Sequence, residues 1–283
     1  MKKNTKDLFN LKNKVIVITG GAGFLGSEFS SILSDIGAIP IILDINATSI
    51  KLLKRKFIKK RQKGFFFLVD LNDENKVNSA INLIIKKHRR IDCLINAAGL
   101  TGQNMLKSNS NFFEKIERYD FKLWQKSLNE NLSSTFITIK SVANHMLKRK
   151  KGSIINIASD AGIISPDHRI YEANKKFNYK GVNFNTPISY SVAKSGIISM
   201  TRYLATYWAK KGIRVNCISP AGVYKKHDKK FVEQLSQRIP LGRMAKPYEL
   251  NGAIVYLCSN ASSFVTGHNL VVDWWKNNLV SKL

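Results

Sequence analysis

Tyr190 and Lys194 form the residue pair whose spacing most directly suggests proton-transfer chemistry. Residues four apart share one face of a helix, so this spacing predicts neighbouring phenol and ammonium groups. We expect the ammonium to favour the phenolate and to lower the pKa of Tyr190 from its ordinary value of about 10. Ser159 lies 31 positions earlier, just after a predicted strand. Such a set could exchange a proton with a substrate near neutral pH.

A glycine-rich turn near the amino terminus has the composition of a phosphate-binding loop. It reads TGGAGFLG over residues 19–26 and follows an apolar, β-branched run. Glycines let the backbone approach a diphosphate closely, and the helix that follows offers unpaired N–H groups and the positive end of its dipole. A glycine-rich strand-to-helix turn without a ligand is the alternative interpretation.

Asp44 ends the second apolar run, eighteen residues after Gly26. A carboxylate at this place can accept hydrogen bonds from the hydroxyls of an adenosine ribose, and it would repel a 2′-phosphate. The residues that follow, Ile45 and Asn46, include no arginine. This pattern favours NAD over NADP. An aspartate that only caps the next helix is the alternative interpretation.

The elements that must position these residues alternate between apolar runs and helical patterns. Strands are predicted at residues 14–19, 39–43, 65–69, 91–95, 153–158, 213–218 and 270–272. Helices are predicted at 27–36, 51–63, 75–88, 121–150, 189–211, 228–237 and 249–258. Apolar runs without polar alternation are typical of strands that are buried on both faces. The sequence therefore predicts an α/β fold with a Rossmann-like, doubly wound parallel sheet, helices on both faces and one domain over 1–283.

Composition sets bounds on the class of protein. The 283 residues include 46 lysines and arginines against 19 aspartates and glutamates, a formal net charge of +27. A nucleic-acid binder is one interpretation, but the basic residues are scattered and lack arginine clusters mixed with aromatics, so a solvated surface is favoured. No apolar run is long enough to span a membrane, and three scattered cysteines favour neither a metal site nor a disulfide framework. We expect a cytoplasmic protein without nucleic-acid or membrane partners.

Together these motifs, in this order, resemble the short-chain dehydrogenase/reductase family over nearly the whole chain. Its compact, NAD-dependent branch is the most similar. The matching positions, in chain order, are the glycine loop 19–26, Asp70 with Leu71, the run Asn96-Ala97-Ala98-Gly99, Asn131, Ser159, Tyr190 with Lys194, and the stretches 214–220 and 266–273.

The resemblance implies a role for each matching residue. Tyr190 would be the general acid and base, and Lys194 would hold the nicotinamide ribose. Ser159 would bind the substrate oxygen, and Asn131 would position a water beside Lys194. The implied cofactor-binding residues are Gly20, Gly23, Phe24, Leu25, Gly26, Asp44, Asp70, Leu71, Asn96, Ala97, Ala98, Gly99, Tyr190, Lys194, Pro220 and Val223. The resemblance also implies a homodimer or homotetramer packed through the helices at 121–150 and 189–211.

The chain departs from the compact pattern in four places. The glycine spacing resembles the extended branch, which includes sugar-nucleotide epimerases and dehydratases. The stretch between Ser159 and Tyr190 contains an insertion at about 164–188, with Arg169 and further basic residues that could attract an anionic substrate. Ala221 replaces a glycine after Pro220, and Trp274-Trp275 replace glycines near the end, where they could contact another subunit or the substrate.

We therefore expect an enzyme that transfers a hydride between NAD and an alcohol or ketone carbon of a sugar or sugar-derived substrate, such as a sugar nucleotide. A sugar-nucleotide epimerase or dehydratase that retains NAD is the alternative, and a non-enzymatic basic binding protein on the same fold is a third hypothesis. The combination of departures is loosely similar to oxidoreductases of bacterial surface-glycan and flagellin-glycan biosynthesis.

Overall fold

Seven parallel strands form one sheet at the centre of the protein. The computed structural model describes residues 4–100, 114–171, 178–179, 182–183 and 185–273. The strands are β1 Val15–Thr19, β2 Ile39–Asp44, β3 Phe65–Leu68, β4 Cys93–Asn96, β5 Gly152–Ile157, β8 Ile213–Pro220 and β9 Asn269–Val272, and they lie in the order β3-β2-β1-β4-β5-β8-β9. Between β5 and β8, β6 Asn178–Tyr179 and β7 Val182–Asn183 form a short antiparallel pair.

Helices connect the strands and cover the sheet. They are α1 Thr5–Leu8, α2 Phe24–Asp35, α3 Ala47–Lys59, α4 Glu74–His88, α5 Phe121–Leu128, α6 Ser134–Arg149, α7 Ile188–Trp208, α8 Lys229–Ser236 and α9 Asn251–Cys258. Among the described residues, none of these helices combines the length and apolar character needed to cross a membrane. Side chains of Asn46 and Asp73 accept backbone hydrogen bonds at the starts of α3 and α4, which begin earlier than the apolar periodicity predicts.

Two apolar cores, one on each face of the sheet, hold the layers together. Successive residues of a strand point to opposite faces, so Val15 and Val17 pack towards α4 and α6, whereas Ile16 and Ile18 pack towards α2 and α9. All four side chains are almost completely buried, and each contributes roughly 1.5–3 kcal/mol by leaving water. This arrangement confirms the predicted Rossmann-like, doubly wound fold in a single domain.

The strand order reverses at β1, which pairs with β2 on one side and β4 on the other. Thr19 is in register with both Leu43 and Asn96, so the segments that follow these three strands leave the sheet at one edge. A crevice at such a reversal is where open α/β sheets bind ligands. The fold thus brings the glycine loop beside Asp44 and the run after β4.

The helix predicted over 121–150 is interrupted, which corrects the sequence interpretation. A π-helical turn, Asn129–Ser133, separates α5 from α6. The Asn131 side chain donates a hydrogen bond to the Ser127 carbonyl at 2.9 Å, and the Ser134 hydroxyl donates one to the Glu130 carbonyl at 2.9 Å. The apolar periodicity predicted one continuous helix and did not locate this π turn, a feature that is frequent at functional sites.

Candidate active site

The glycine loop lies directly against the backbone that follows β4. Gly20 has φ +59°, and a Cβ on it would stand 2.7 Å from the Ala98 Cα. A Cβ on Gly26 would collide with the carbonyl oxygen of Gly20. Gly23 is the N-cap of α2 and provides no side-chain cap, so the first N–H groups of the helix, from Phe24 onward, lack that partner. The loop is therefore shaped for an anionic group at the start of α2.

Asp44 organises the neighbouring turn. Its Oδ2 accepts a hydrogen bond from the Ala22 N–H at 3.0 Å, and its Oδ1 accepts one from the Asn46 N–H at 2.9 Å. The side chain is buried at the end of β2, and these two bonds fix its carboxylate beside the glycine loop. A carboxylate has about four acceptor positions, so the same oxygens can accept further hydroxyl groups.

The run after β4 and the residues after β3 reach the same edge of the sheet. The backbone N–H groups of Ala97 and Ala98 donate to the Thr19 carbonyl and hydroxyl oxygens, both at 3.3 Å. Asn96 donates to the Asn156 side chain at 2.9 Å. After β3, Asp70 accepts the N–H of Asn72 at 3.0 Å and Leu71 is buried, while Leu25 packs into the core beneath α2.

Lys194, Asn131 and Gly99 meet beneath this edge. The Lys194 ammonium donates to the Ile157 carbonyl at 2.9 Å. A Cβ on Gly99 would lie 2.7 Å from the Asn131 Oδ1 and 3.7 Å from the Lys194 Nζ, so only glycine fits without displacing them. The Asn131 Oδ1 is buried and has no hydrogen-bond partner among the described residues. A buried acceptor without a partner is unfavourable, so this atom fits a bound water beside the ammonium.

Tyr190 lies next to Ser159, as predicted, but its pKa moves in the opposite direction from the prediction. Burial raises the pKa of Tyr190 to about 12, and a hydrogen bond with Ser159 opposes this only in part. Burial lowers the pKa of Lys194 to about 8. The Lys194 Nζ stands 5.6 Å from the centre of the Tyr190 ring and is committed to the Ile157 carbonyl. The predicted lowering of the pKa of Tyr190 by Lys194 is therefore wrong for the protein alone, because loss of solvent outweighs the ammonium.

Two residues of the site, Asp160 and Lys225, were missed from sequence, and a third, Tyr171, lies in the insertion at 164–188 that was predicted to lie beside the site. Asp160 follows Ser159 and accepts its hydroxyl hydrogen at 2.9 Å. Lys225 extends from the loop after β8 and places its Nζ 4.9 Å from the centre of the Phe24 ring, at the start of α2. Tyr171 is partly buried, and its hydroxyl lies 2.8 Å from the Thr186 Oγ1. The sequence shows the types and charges of these residues. It does not show their contacts, because those contacts join segments far apart in the chain or depend on the geometry of a turn.

The loop after β8 carries the remaining predicted residues. Pro220 ends β8, and Val223 forms an isolated parallel bridge with Ala245. The Tyr224 N–H then donates to the Ala245 carbonyl at 2.8 Å, which holds the loop over the start of α2 and sets the position of Lys225.

The described part of the insertion at 164–188 packs against α8. Its 3₁₀ turn, His168–Tyr171, buries Ile170 against Leu235 and stacks Tyr171 on Phe231 with ring centres 5.7 Å apart. Beside the turn and the start of α7, a cleft of about 700 Å³ is lined by residues that include Ala161, Gly162, His168, Thr186 and Ser191.

The charges of the insertion are largely paired where they are described. Asp167 binds Arg169 at 2.9 Å and Arg238 at 2.8 Å, and these guanidinium groups hold the pKa of the Asp167 carboxyl well below its usual range. Because Arg169 shares this one carboxylate with Arg238, the cluster keeps one net positive charge, and the charge of Arg169 is only partly neutralised. The lysines at 175, 176 and 180, and Trp274 with Trp275, lie outside the described residues.

Comparison with known proteins agrees with this geometry. The family model described as short chain dehydrogenase matches residues 14–180, and one described as Enoyl-(Acyl carrier protein) reductase matches 176–274. The chain is 29% identical over 270 residues to an NAD-dependent glycerol dehydrogenase of Listeria innocua, covering 94% of each chain. It is 31% identical over 279 residues to a 2-dehydro-3-deoxy-D-gluconate 5-dehydrogenase of Bacillus subtilis, covering 94% of this chain and 96% of that protein.

A solved structure is similar over almost the same length. It is a gluconate 5-dehydrogenase from Burkholderia cenocepacia in complex with NADP and tartrate, with a TM-score of 0.82 and 26% identity over 97% of this chain and 99% of that one. The narrower similarity to surface-glycan and flagellin-glycan oxidoreductases stays a prediction. With the matched family model, the sheet order and the Ser159, Tyr190 and Lys194 cluster in agreement, the chain belongs to the short-chain dehydrogenase/reductase family of oxidoreductases.

Proposed function

We propose that the protein is an NAD-dependent dehydrogenase that interconverts an alcohol and a ketone on a sugar or sugar-derived substrate. The observation that carries the proposal is the convergence of Ser159, Tyr190, Lys194 and Asn131 beside a glycine loop at the reversal of the strand order. A protein that only bound a nucleotide would have no use for a phenol grouped with a buried hydroxyl and a buried ammonium. The names of the glycerol and gluconate relatives support a polyhydroxylated substrate.

The residues present fit a nicotinamide dinucleotide. The glycine loop and the start of α2 would hold the diphosphate, and Lys225 brings a cation to the same place. Asp44 would accept the hydroxyls of the adenosine ribose, and Lys194 those of the nicotinamide ribose. When bound, the cofactor supplies the carbon that accepts or returns the hydride.

Asp44 supports NAD in preference to NADP. Its carboxylate is fixed by two backbone hydrogen bonds and would oppose a 2′-phosphate at the same position. The similar glycerol dehydrogenase is named as NAD-dependent, whereas the gluconate dehydrogenase structure holds NADP. NADP is thus the competing cofactor that an assay must include.

The protein's own groups divide the work of proton transfer. Tyr190 is protonated in the protein alone, because its pKa is about 12, and in this form it can donate its proton to a ketone oxygen. In the oxidation direction the phenolate must form, and Lys194, where it is protonated, would stabilise it. Ser159 aligns the substrate oxygen with Tyr190, and the unpartnered Asn131 Oδ1 would hold a water that passes protons from Lys194 towards solvent.

The decisive experiment is a cofactor-coupled absorbance assay of the full chain. NAD and NADP are each tested with polyols, sugars, sugar nucleotides and simple alcohols. We expect NADH to accumulate with a polyhydroxylated substrate, and Tyr190→Phe to lower kcat by about 10²–10⁴-fold with NAD affinity unchanged. Tyr248→Phe, an exposed phenol in the 3₁₀ turn Pro247–Leu250, is the matched control. Turnover that survives in Tyr190→Phe would contradict the assignment.

The glycine spacing keeps one alternative, a sugar-nucleotide epimerase or dehydratase that retains NAD. Such an enzyme would convert its substrate without releasing NADH into solution. Sugar-nucleotide conversion without accumulation of NADH would therefore replace the proposed dehydrogenase.

We also propose a homodimer or homotetramer. Phe136 on α6 and Val192, Tyr203 and Tyr207 on α7 are exposed large side chains, and the two tyrosine rings stack with centres 6.0 Å apart. An exposed aromatic surface of this kind supports burial against another copy. Sedimentation velocity of the full chain tests this, and a monomer at micromolar concentration would contradict it.

A further inference from the structure

We propose that Asp160 makes the site selective for substrates that carry a hydroxyl group beside the reacting carbon, and selective against anionic substrates. The inference rests on the proposed dehydrogenase function and names the substrate chemistry that the same site prefers. It is carried by the hydrogen bond between Asp160 and Ser159 and by the rigid turn that holds the carboxylate beside Tyr190.

The position of Asp160 is fixed from both sides. The 3₁₀ turn Asp160–Gly162 starts immediately after Ser159, whose side chain caps it. A Cβ on Gly162 would lie 2.6 Å from the backbone carbon of Lys194, so the turn is pressed against α7. The Ser195 hydroxyl also donates to the Gly162 carbonyl at 3.0 Å. The carboxylate therefore has little freedom to withdraw from the reacting groups.

The hydrogen bonds of Asp160 change what Ser159 can offer. The Ser159 hydroxyl donates its hydrogen to the Asp160 Oδ1 at 2.9 Å, and the Ala161 N–H donates to the same oxygen at 2.8 Å. A hydroxyl has a single hydrogen, so Ser159 cannot donate it to a substrate oxygen while Asp160 holds it. A carboxylate has about four acceptor positions, so a substrate hydroxyl can donate to a remaining one; this weakens the hold of Asp160 on the Ser159 hydrogen and favours donation by Ser159 to the reacting oxygen.

A vicinal hydroxyl is the group that meets this requirement. A carboxylate only accepts hydrogen bonds, so it favours a ligand that donates and penalises one that brings negative charge. A hydroxyl on the carbon next to the reacting carbon places its donor within a few ångströms of the oxygen that Ser159 and Tyr190 bind. Polyols and sugars have this feature, whereas simple ketones and 2-oxo acids do not.

The role of Asp160 can be measured through the pKa of Tyr190, which depends on the groups that face its side chain. They are Ser159 and Asp160 on the turn after β5, Lys194 on α7 and Tyr171 on the insertion. The charge of Asp160 adds to the effect of burial and raises the pKa of Tyr190. Removal of that charge should therefore make the phenolate form at lower pH, whereas a carboxylate that only caps the turn would leave the ratio between substrates unchanged.

Three probes with a common reacting unit isolate the effect. Butan-2-ol, butane-2,3-diol and lactate all carry the same reacting unit, CH₃–CH(OH)–. The carbon next to it is an alkyl carbon in butan-2-ol, carries a hydroxyl in the diol and is a carboxylate in lactate. With the full chain and NAD, we expect kcat/KM for the diol to exceed that for butan-2-ol by at least about ten-fold, the effect of one hydrogen bond to a charged acceptor. Lactate should be the poorest of the three.

Asp160→Asn is the diagnostic variant, because the amide oxygen can still accept the Ser159 and Ala161 hydrogen bonds. We expect the diol-to-butan-2-ol ratio to fall at least about five-fold, the lactate-to-butan-2-ol ratio to rise, and the acidic limb of the oxidation pH profile to move to lower pH. Asp35→Asn, at the carboxyl end of α2, removes the same charge at the opposite edge of the sheet and should change none of these.

Two results would overturn the inference. One is a wild-type enzyme that oxidises butan-2-ol or lactate as well as the diol, and the other is an Asp160→Asn variant that loses activity equally for every probe. Neither affects the proposed dehydrogenase function, which depends on Tyr190→Phe. If Tyr190→Phe keeps full activity, the proposed function fails first and the role of Asp160 fails with it.

Discussion

Replacement of Lys194 by methionine should stabilise the protein while it removes catalysis. Lys194 is buried, and burial lowers its pKa from 10.5 to about 8. At about 1.4 kcal/mol per pH unit, this difference corresponds to a destabilisation of about 3 kcal/mol where both states are protonated. Methionine removes the buried charge, but it also loses the hydrogen bond to the Ile157 carbonyl, which contributes about 1 kcal/mol. The expected net gain is about 2 kcal/mol near pH 7.

The pH dependence gives this prediction its sign. Between the folded pKa of about 8 and the unfolded value of 10.5, the unfolded chain binds more protons at Lys194 than the folded one. The stability of the wild type therefore rises with pH across that window, as the cost of the buried ammonium disappears. By about pH 10 the cost has fallen below about 1 kcal/mol, and the advantage of Lys194→Met should be nearly lost.

Urea unfolding of the protein without cofactor, at fixed protein concentration, measures the difference at about pH 7 and about pH 10. Lys210→Met, an exposed position just after α7, is the control and should show no pH-dependent gain. If Lys194→Met is less stable than the wild type at pH 7, or if the difference does not change with pH, the buried ammonium does not destabilise the fold and the reasoning is refuted.

Two further substitutions test the cofactor site. Gly26→Ala should lower the free energy of unfolding by about 1–3 kcal/mol and weaken NAD binding at least about ten-fold, because its Cβ would collide with the loop backbone. Urea unfolding measures the first effect and calorimetric titration the second. Gly252→Ala is the control, because a Cβ there meets no neighbouring atom within 4 Å. Lys225→Met should raise the Kd for NAD about ten-fold and reduce the dependence of that Kd on salt. Lys226→Met, at an exposed neighbouring position, should leave both unchanged. Equal Kd values for the two variants would exclude a contact between Lys225 and the diphosphate.

The convergence of the cofactor-site segments could be predicted from the sequence, because the strands of the predicted sheet are parallel. Carboxyl ends of parallel strands meet at one edge, so apolar runs that end in Gly20, Asp44 and Asn96 predict that these residues converge without any knowledge of coordinates. The i and i+4 spacing likewise places Tyr190 and Lys194 on one face of α7. Periodicity and order were sufficient because each of these relations is local or is fixed by the sheet.

What the sequence could not predict depends on burial and on turns. The pKa of Tyr190 rises because solvent is excluded, and exclusion is a property of the packed chain. The contact between Lys225 and Phe24 joins residues far apart in sequence, and the bond between Asp160 and Ser159 requires a 3₁₀ turn. The π turn at Asn131 adds one residue to a helix whose apolar pattern continues on both sides.

The net charge of +27 and the local charge of the site act over different distances. A positive protein attracts any anion from a distance, but the field of exposed charges decays over about 8 Å at physiological ionic strength. This attraction serves the cofactor, whose diphosphate would meet Lys225 and the start of α2. Close to Ser159 the nearest fixed charge on its own turn is the carboxylate of Asp160, while Arg169 is paired with Asp167. The excess of positive charge therefore fits an anionic cofactor but does not select the substrate, because a substrate's fit is decided within the distance of one hydrogen bond.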